Sequence, residues 1–479
     1  MKYVGFALLA IVGVLVALLL IALIRTLFTK PKTSTYAPDP DPEKAQKYAE
    51  KLSAMVQVNT VASNEDRRTE AFLDFHKVLA NLFPLVHTHL EKTEIDGTLL
   101  YRWKGASAEK PIVLMAHQDV VPAEGEWVHE PFSGDIADGF VWGRGTADTK
   151  CSLMAIFQSI EELLAEGAAP PQDVYIASSC TEEFGGDGAP KIVAELKRRG
   201  VRPYAVFDEG GGIIDEPVGG VKGCYAMVGT FEKGQGNVRF TARSAGGHSS
   251  APPRKTPLTS LAAFVDEVHR HDPFRREMLP AVKGMFQKLT PYSPFAYRLL
   301  FGNLWLFGGL LKAVMPMVSS QAAAMMRTSI AFTMASGSEA RNVIPQEASV
   351  VANLRFIPHQ GKEESFAILE KLAKKHDLEM TIMDGHDSSP TLDLNGSVWA
   401  LTEQAIGEAF PALPVVPYVV TGGTDARFYH EICDNCVRFS PVIYGKAQLA
   451  GMHGLNENIA VDCLVGAVEF YKKLILLND

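Results

Sequence analysis

The chain has 479 residues, 47% of them hydrophobic and 21% charged, enough material for two cores rather than one. Its formal net charge is -9, and no basic stripe offers phosphate neutralisation, which argues against a nucleic-acid partner. The six cysteines are scattered apart from Cys433 and Cys436, whose CxxC spacing has neither a thioredoxin context nor a second CxxC, so they read as ordinary thiols near a strand.

In chain order, the first element is an uncharged run from Tyr3 to Ile24, rich in Leu, Val, Ala and Ile. At about 1.5 Å per residue, such a helix crosses a bilayer core of about 30 Å. The run is longer than a usual signal-peptide core, and no small-x-small cleavage site precedes Arg25, so an uncleaved single-pass anchor over residues 1–30 is expected. Lys2 flanks one side and Arg25, Lys30 and Lys32 the other, which leans toward a cytoplasmic body without fixing the orientation. Residues 31–41 are polar and proline-bearing, a linker. Asp41-Pro42-Glu43 then marks a helix start, with an N-cap followed by proline in the first turn.

Ile112–Met115, Val174–Ala177 and Ala205–Phe207 are short apolar runs of buried-strand type, and Lys150 to Leu164 carries apolar residues at helical spacing. Strands alternating with helices predict an α/β unit with a sheet buried on both faces. From Gly229 the pattern changes. A half-exposed strand (237–243), a helix (258–269), two strands (328–332, 348–355), a helix (364–376) and a strand (379–382) form a split βαβ order, an α+β, ferredoxin-like unit. The expected organisation is a first part at 42–229, an interrupting unit at 230–385 that includes an apolar insert at 291–326, and a second part of the α/β unit at 386–479.

Five segments each place one metal-seeking side chain where a strand runs into a loop: His117 in 116–119, Asp148 in 145–148, Glu183 in 181–183, one carboxylate of 207–210 and His453 in 452–454. In open α/β sheets ligands bind beyond the strand carboxyl ends, where these segments fall. Two imidazoles and three carboxylates are the set that a pair of zinc ions needs if one carboxylate bridges. Asp119 lies two residues from His117, so it can face the same side and orient the ring. Asp148 can give one oxygen to each metal, and Glu182, beside Glu183, is free to move a proton between a metal-acidified water and a leaving nitrogen. Taken singly, each has a plainer reading: Asp148 as a helix N-cap, Glu182-Glu183 as solvated surface, Asp208-Glu209 as a turn, His453 as loop decoration.

The segments 116–122 (Ala-His-Gln-Asp-Val-Val-Pro), 131–134 (Pro-Phe-Ser-Gly), 142–150 (Trp-Gly-Arg-Gly-Thr-Ala-Asp-Thr-Lys) and 181–186 (Thr-Glu-Glu-Phe-Gly-Gly) resemble the signatures of the aminoacylase/carboxypeptidase zinc metallopeptidase family, M20. The match continues in the family's order through 246–250, 342–345, 422–427 and 453–457, and the insert containing Gly302-Asn303-Leu304-Trp305-Leu306-Phe307 is similar to the carboxypeptidase S branch, which includes enzymes acting on N-fatty-acyl amino acids. The resemblance implies a zinc-peptidase catalytic domain with a central mixed sheet, interrupted by a ferredoxin-like lid. His117 and Asp208 would hold one zinc and Glu183 and His453 the other, with Asp148 bridging. Asp119 would orient His117, and Glu182 would be general base and acid. His248 would stabilise the oxyanion, in many relatives from the partner subunit of a homodimer, while Asn342 and Arg427 would bind substrate, Arg427 at the free carboxylate. The family often has an acidic residue or methionine after the bridging Asp; here it is Thr149.

The insert has two expectations attached to it: a buried helical hairpin extending the lid, or an apolar face near the anchor that receives an acyl chain or touches lipid. The expected function is a membrane-anchored dinuclear zinc hydrolase cleaving the amide of N-acyl amino acids or short dipeptides with a free carboxylate. The rivals are a dipeptidase or deacylase for small polar substrates and a non-catalytic metal-binding membrane protein.

Overall fold

The computed structural model describes residues 2–38 and 40–479. Helix α1 (Lys2–Phe28) contains Leu9–Phe28, a stretch long and apolar enough to cross a membrane. Helix α2 (Pro42–Val56) starts where the sequence places it, with the Asp41 carboxylate accepting from the backbone N–H groups of Glu43 and Lys44. The strands that follow are β1 (Glu91–Ile95), β2 (Thr98–Trp103), β3 (Ser107–Met115), β4 (Gln172–Ser178), β5 (Ala205–Asp215) and β6 (Cys224–Glu232). Next come β7 (Gly234–Arg243), β8 (Gly247–His248), β9 (Ser329–Ser336), β10 (Val343–Ile344), β11 (Glu347–Phe356) and β12 (Glu379–His386), and finally β13 (Val415–Val420) and β14 (Cys436–Tyr444).

The main sheet runs β1-β2-β4-β3-β5-β14-β6-β13. It is mixed: β3 is parallel to β4 and β5, and β5 to β14, while β2 is antiparallel to β1 and β4. Its central strands read as continuous apolar runs because both faces are covered. Ile112 and Leu114 enter one core, against α2, α3 (Cys151–Ala165) and the C-terminal helix Cys463–Leu477. Val113 and Met115 enter the other, against α4 (Gly188–Arg198). Cys433 and Cys436 are free and buried in this second core.

The interrupting segment forms a four-stranded antiparallel sheet, β9-β11-β7-β12, in the βαββαβ chain order read from the sequence. Helix α5 (Pro257–His271) and the helix Lys362–Lys375 pack on it through Phe264 and Leu369, against Phe240 and Leu354. The apolar insert departs from expectation. Helices α6 (Pro280–Leu289), α7 (Phe295–Phe301), α8 (Leu304–Val318) and α9 (Ser320–Met326) do not extend this second unit. Phe286, Phe301, Leu311 and Met326 join Tyr225, Phe231, Val416 and Val419 of the main sheet in one buried apolar cluster, which covers the β6–β13 edge. Nor is the insert a buried hairpin: α7 and α8 meet at 103°, and within α8 only Leu311 is buried.

Strands β5, β6 and β14 cross most tightly at Gly211. A Cβ there would lie 2.3 Å from the Met227 carbonyl oxygen and 2.4 Å from that of Arg438. Both obstacles are backbone, which cannot swing aside as a side chain can. Gly211→Ala should therefore destabilise the fold by about 1–3 kcal/mol, read as a lower midpoint in denaturant unfolding; an unchanged midpoint would contradict this packing.

Candidate metal and catalytic site

Strand β3 ends at Met115 and delivers His117 and Asp119 into a loop at the carboxyl end of the sheet; β4 ends at Ser178 and delivers Glu182 and Glu183 beside them. His117 Nδ1 donates to the Asp119 carbonyl oxygen at 2.8 Å, which turns Nε2 toward Asp148 Oδ1 at 3.2 Å and Glu209 Oε1 at 3.3 Å. His453 Nε2 lies 3.1 Å from Asp148 Oδ2 and 3.1 Å from Glu183 Oε2. Asp148 thus turns one oxygen to each imidazole. Two groups able to hold a metal ion result: His117, Asp148 and Glu209, and Asp148, Glu183 and His453.

The sequence placed Asp208, not Glu209, beside His117, and the structure reverses this. Neighbouring residues of a strand face opposite sides, so only one of the two can point at His117. The Asp208 carboxylate instead accepts from the backbone N–H of Glu209 at 2.9 Å and of Ala426 at 2.8 Å, the latter at the start of a short helix. The strand also continues beyond the pair, through Gly210 in the left-handed region at φ 102°, rather than ending there.

The buried Asp119 carboxylate accepts from the backbone N–H groups of Glu182 at 3.1 Å and Glu183 at 2.9 Å, so it positions both glutamates while lying 3.7 Å from His117 Nδ1. Sequence reasoning gave Glu457 no role, yet its carboxylate organises the loop that carries Asp148. One oxygen accepts from the N–H of Ala147 at 2.8 Å and Asp148 at 3.0 Å; the other accepts from Gly145 N–H at 3.0 Å and Arg144 Nη1 at 2.6 Å. Arg144 Nη2 donates to the Gly454 carbonyl at 2.7 Å, tying in the His453 loop. The visible signal was an acidic residue four positions after a candidate histidine, which spacing alone does not distinguish from surface. A second buried clamp, Glu232, accepts from Arg438 Nε at 3.0 Å and from the N–H and hydroxyl of Thr424 at 2.9 and 2.8 Å, holding the glycine-rich loop before Arg427.

Arg427 is half-buried; its guanidinium lies 4.4 Å from the Phe428 ring centroid and donates to the Thr424 carbonyl at 3.0 Å, with no carboxylate within 4 Å among the described residues. His248 and Asn342 are not brought to this cluster. Both are exposed, on the β8–β10 ribbon of the second unit, where His248 pairs with Val343 and Ser249 N–H donates to the Asn342 carbonyl at 3.0 Å.

The electrostatics are those of a site short of positive charge. Burial, with Glu209, Asp425 and Glu183 nearby, holds the Glu182 carboxyl well above the usual carboxylate range. Burial and Asp148 do the same to Glu209, against the opposing pull of His117. Burial by itself would lower the His117 imidazole, but Glu209 and Asp148 outweigh it and raise it well above its usual value. Hydrogen bonds to Asp148 and Glu183 push His453 up to about 10. Burial pushes Asp119 up to about 6 and, with Asp208 beside it, Asp425 to about 7. Glu183 Oε1 is buried with no hydrogen-bond partner among the described residues. Two imidazoles, three converging carboxylates and an orphaned buried oxygen fit a pair of cations.

Both imidazoles are held in their protonated form around neutral pH by these carboxylates, so binding divalent metal must release protons. Apparent metal affinity should therefore rise with pH from 6 to 8, and calorimetry in buffers of different ionisation enthalpy should register proton release; a pH-independent affinity would contradict the assignment. Glu457→Gln, which weakens the cradle behind Asp148 without touching a ligand atom, should cost about 10–100-fold in metal affinity, measured by competition with a chromophoric chelator.

Known proteins resemble this chain over nearly its whole length. The profile of peptidase family M20/M25/M40 matches residues 113–477. The N-fatty-acyl-amino acid synthase/hydrolase PM20D1 of Xenopus tropicalis is 33% identical over 501 residues, covering 100% of this chain and 96% of the relative. The probable carboxypeptidase S-like 2 of Dictyostelium discoideum is 32% identical over 483 residues, covering 97% and 92%. Among solved structures, an M20 family metallo-carboxypeptidase from Sulfolobus solfataricus superposes with a TM-score of 0.68 at 18% identity, covering 90% of this chain and 99% of that one. The resemblance read from the motifs is borne out: this chain belongs to peptidase family M20/M25/M40 and is a metal-dependent peptidase or amidohydrolase.

Proposed function

We propose that the chain is a dinuclear zinc hydrolase that cleaves the amide bond of N-acyl amino acids carrying a long apolar acyl group and a free carboxylate. One observation carries this reading. A single cavity of about 560 Å³ is lined by Asp148, Glu182, Glu183, Glu209 and His453 and otherwise by mainly apolar walls, with Met227, Phe286, Tyr297, Met315, Ala322 and Met325 among them and Gln321, Thr424 and Ser440 as polar exceptions. Ligand pockets of this size take drug-sized molecules through apolar walls and a few converging polar groups. A dipeptide would leave the apolar part of this cavity unfilled. The name of the Xenopus relative, an N-fatty-acyl-amino acid synthase/hydrolase, is in keeping with this substrate class.

His117, Asp148 and Glu209 would hold one ion and Glu183, His453 and Asp148 the other. When bound, such a pair supplies Lewis acidity, polarising the amide carbonyl and acidifying water at neutral pH. Glu182 takes a proton from the attacking water on its carboxylate and returns it to the departing amide nitrogen, so the amine leaves neutral. Asp119 aims Glu182 through the two backbone N–H bonds described above. Arg427, with no carboxylate partner among the described residues, receives the free carboxylate of the substrate. The four-stranded unit acts as a lid, and its exposed His248 and Asn342 serve the site of the partner subunit in a homodimer, His248 donating to the carbonyl oxygen as charge develops there. Helix α1 anchors the protein in a membrane as a single pass.

Glu182→Gln should lower kcat by about 10²–10⁴-fold while metal content, read by atomic emission, is unchanged. Ala322→Trp, which fills the apolar part of the cavity, should abolish hydrolysis of oleoyl amino acids and spare acetyl ones. Equal losses on both would overturn the acyl-chain assignment. Mixing inactive His248→Ala and Glu182→Gln subunits under exchange conditions should restore about a quarter of parent activity, since half of the dimers are mixed and each mixed dimer has one complete site; no recovery would sink the shared-site reading.

A further inference from the structure

The bend between α7 and α8 is fastened to α1. Asn303, at the bend and buried, donates its side-chain amide to the Ala22 carbonyl at 3.2 Å, to Thr26 Oγ1 at 3.0 Å and to the Leu299 carbonyl at 2.9 Å. Just after α1, the Lys32 backbone N–H donates to the Pro291 carbonyl at 2.8 Å. Ala22 and Thr26 precede Phe28, the end of the apolar stretch, by six and two residues. At 1.5 Å rise per residue the bend therefore sits about 3–9 Å inside that end. An amphipathic helix lying in a membrane interface sinks its apolar face by about 5–10 Å.

Helix α8 has the surface such a position requires. Leu310, Val314 and Met317, at i, i+4 and i+7, are 55%, 43% and 78% exposed, and Trp305 beside the bend is 49% exposed. From Phe295 to Met326 the only charged residues are Arg298 and Lys312, with no carboxylate to be repelled by anionic headgroups. The C-terminal end of the same helix meets the cavity: Met315, Val318 and Ser319 line it, and Val318 is also 75% exposed, so the mouth opens next to the exposed apolar stripe.

Resting on the acyl-amino-acid reading above, we propose that α8 lies in the headgroup boundary of the bilayer that α1 spans, and that the cavity opens there. The occupant of the exposed stripe is the lipid leaflet, and the acyl chain passes from the leaflet into the cavity without crossing water. The chain then slides along Val318 and Met315 toward the carboxylate cluster, while the amino-acid headgroup, which cannot enter the hydrocarbon, travels along the aqueous side.

The test uses the full chain in vesicles of phosphatidylcholine and phosphatidylserine. Brominated phosphatidylcholine should quench a fraction of the tryptophan fluorescence, and Trp305→Phe should remove most of that fraction. The triple variant Leu310→Glu, Val314→Glu, Met317→Glu, whose altered side chains face outward, should lose at least about tenfold in kcat/KM on an oleoyl amino acid dissolved in the vesicles and stay within about twofold of parent on an acetyl amino acid in water. Equal quenching in parent and Trp305→Phe overturns the proposal, as does an equal loss on both substrates. If the parent hydrolyses no acyl amino acid of any chain length, the substrate reading fails by itself, and the quenching measurement still decides where α8 lies.

Discussion

Charge compensation beyond the carboxyl ends of β3 and β4, beside Glu209 within β5, is the constraint around which the rest of this structure is arranged. Asp148, Glu183 and Glu209 converge on two imidazoles, with Glu182 and Asp119 directly behind. Like charges this close cannot all remain ionised in a buried site, and the raised carboxyls of Glu182 and Glu209 show the strain. Protons on His117 and His453 relieve part of it. Cations in the same place would relieve more of it and would give a partner to Glu183 Oε1, which has no hydrogen-bond partner among the described residues. The donor set is thus poorly satisfied as pure protein, which is what a site built for ions requires.

Holding such a set together demands hydrogen-bond acceptors that are not themselves ligands. Asp119 grips the backbone of the two glutamates, Glu457 the loop of Asp148, and Glu232 the loop before Arg427. Each is a buried carboxylate that accepts from backbone N–H groups or arginine and is thereby fixed in place, although Glu232 does so through one oxygen only, its Oε1 having no hydrogen-bond partner among the described residues. Arg144 and Arg438 neutralise two of them. A buried pair of this kind contributes modestly to stability once desolvation is counted, and its value here is geometric. The cavity is walled elsewhere, by the helices from Pro280 to Met326, which cover the β6–β13 edge and line it with methionine and aromatic side chains. Methionine's flexible thioether lets such a wall adapt its shape, as the long acyl chain proposed above would require.

Much of this was legible in the chain. The apolar runs at 112–115, 174–177 and 205–207 lie within strands because a sheet covered on both faces needs unbroken apolar sequence. The alternation in 237–243 and 348–355 marks a sheet with one open face. The helix beginning at Pro42 was readable from its cap. The cluster of His117, Asp148, Glu183 and His453 was legible because each follows a strand or a tight turn in one sheet, and the motif resemblance made that set specific. Less legible were the residues whose role depends on direction. Asp208 and Glu209 are adjacent carboxylates, and only the pleat of β5, with the amides waiting at Ala426, selects which one faces His117. Glu457 looked like an ordinary acidic residue until the fold brought the 143–148 loop against it.

By itself the sequence determined the α/β unit, its interruption by a βαββαβ segment, the apolar N-terminal helix, the family and most of the metal-seeking side chains. These follow from local periodicity, caps and short motifs, which depend on neighbours within a few residues. Tertiary structure alone decided that Glu209 displaces Asp208, that Glu457 and Glu232 hold the loops, and that the insert joins the main sheet instead of the second unit. It also decided that Asn303 ties the insert to α1, 277 residues from Thr26 along the chain. These outcomes turn on which surface is left uncovered and which donors remain unpaired after the elements have packed, and no window of sequence carries that information.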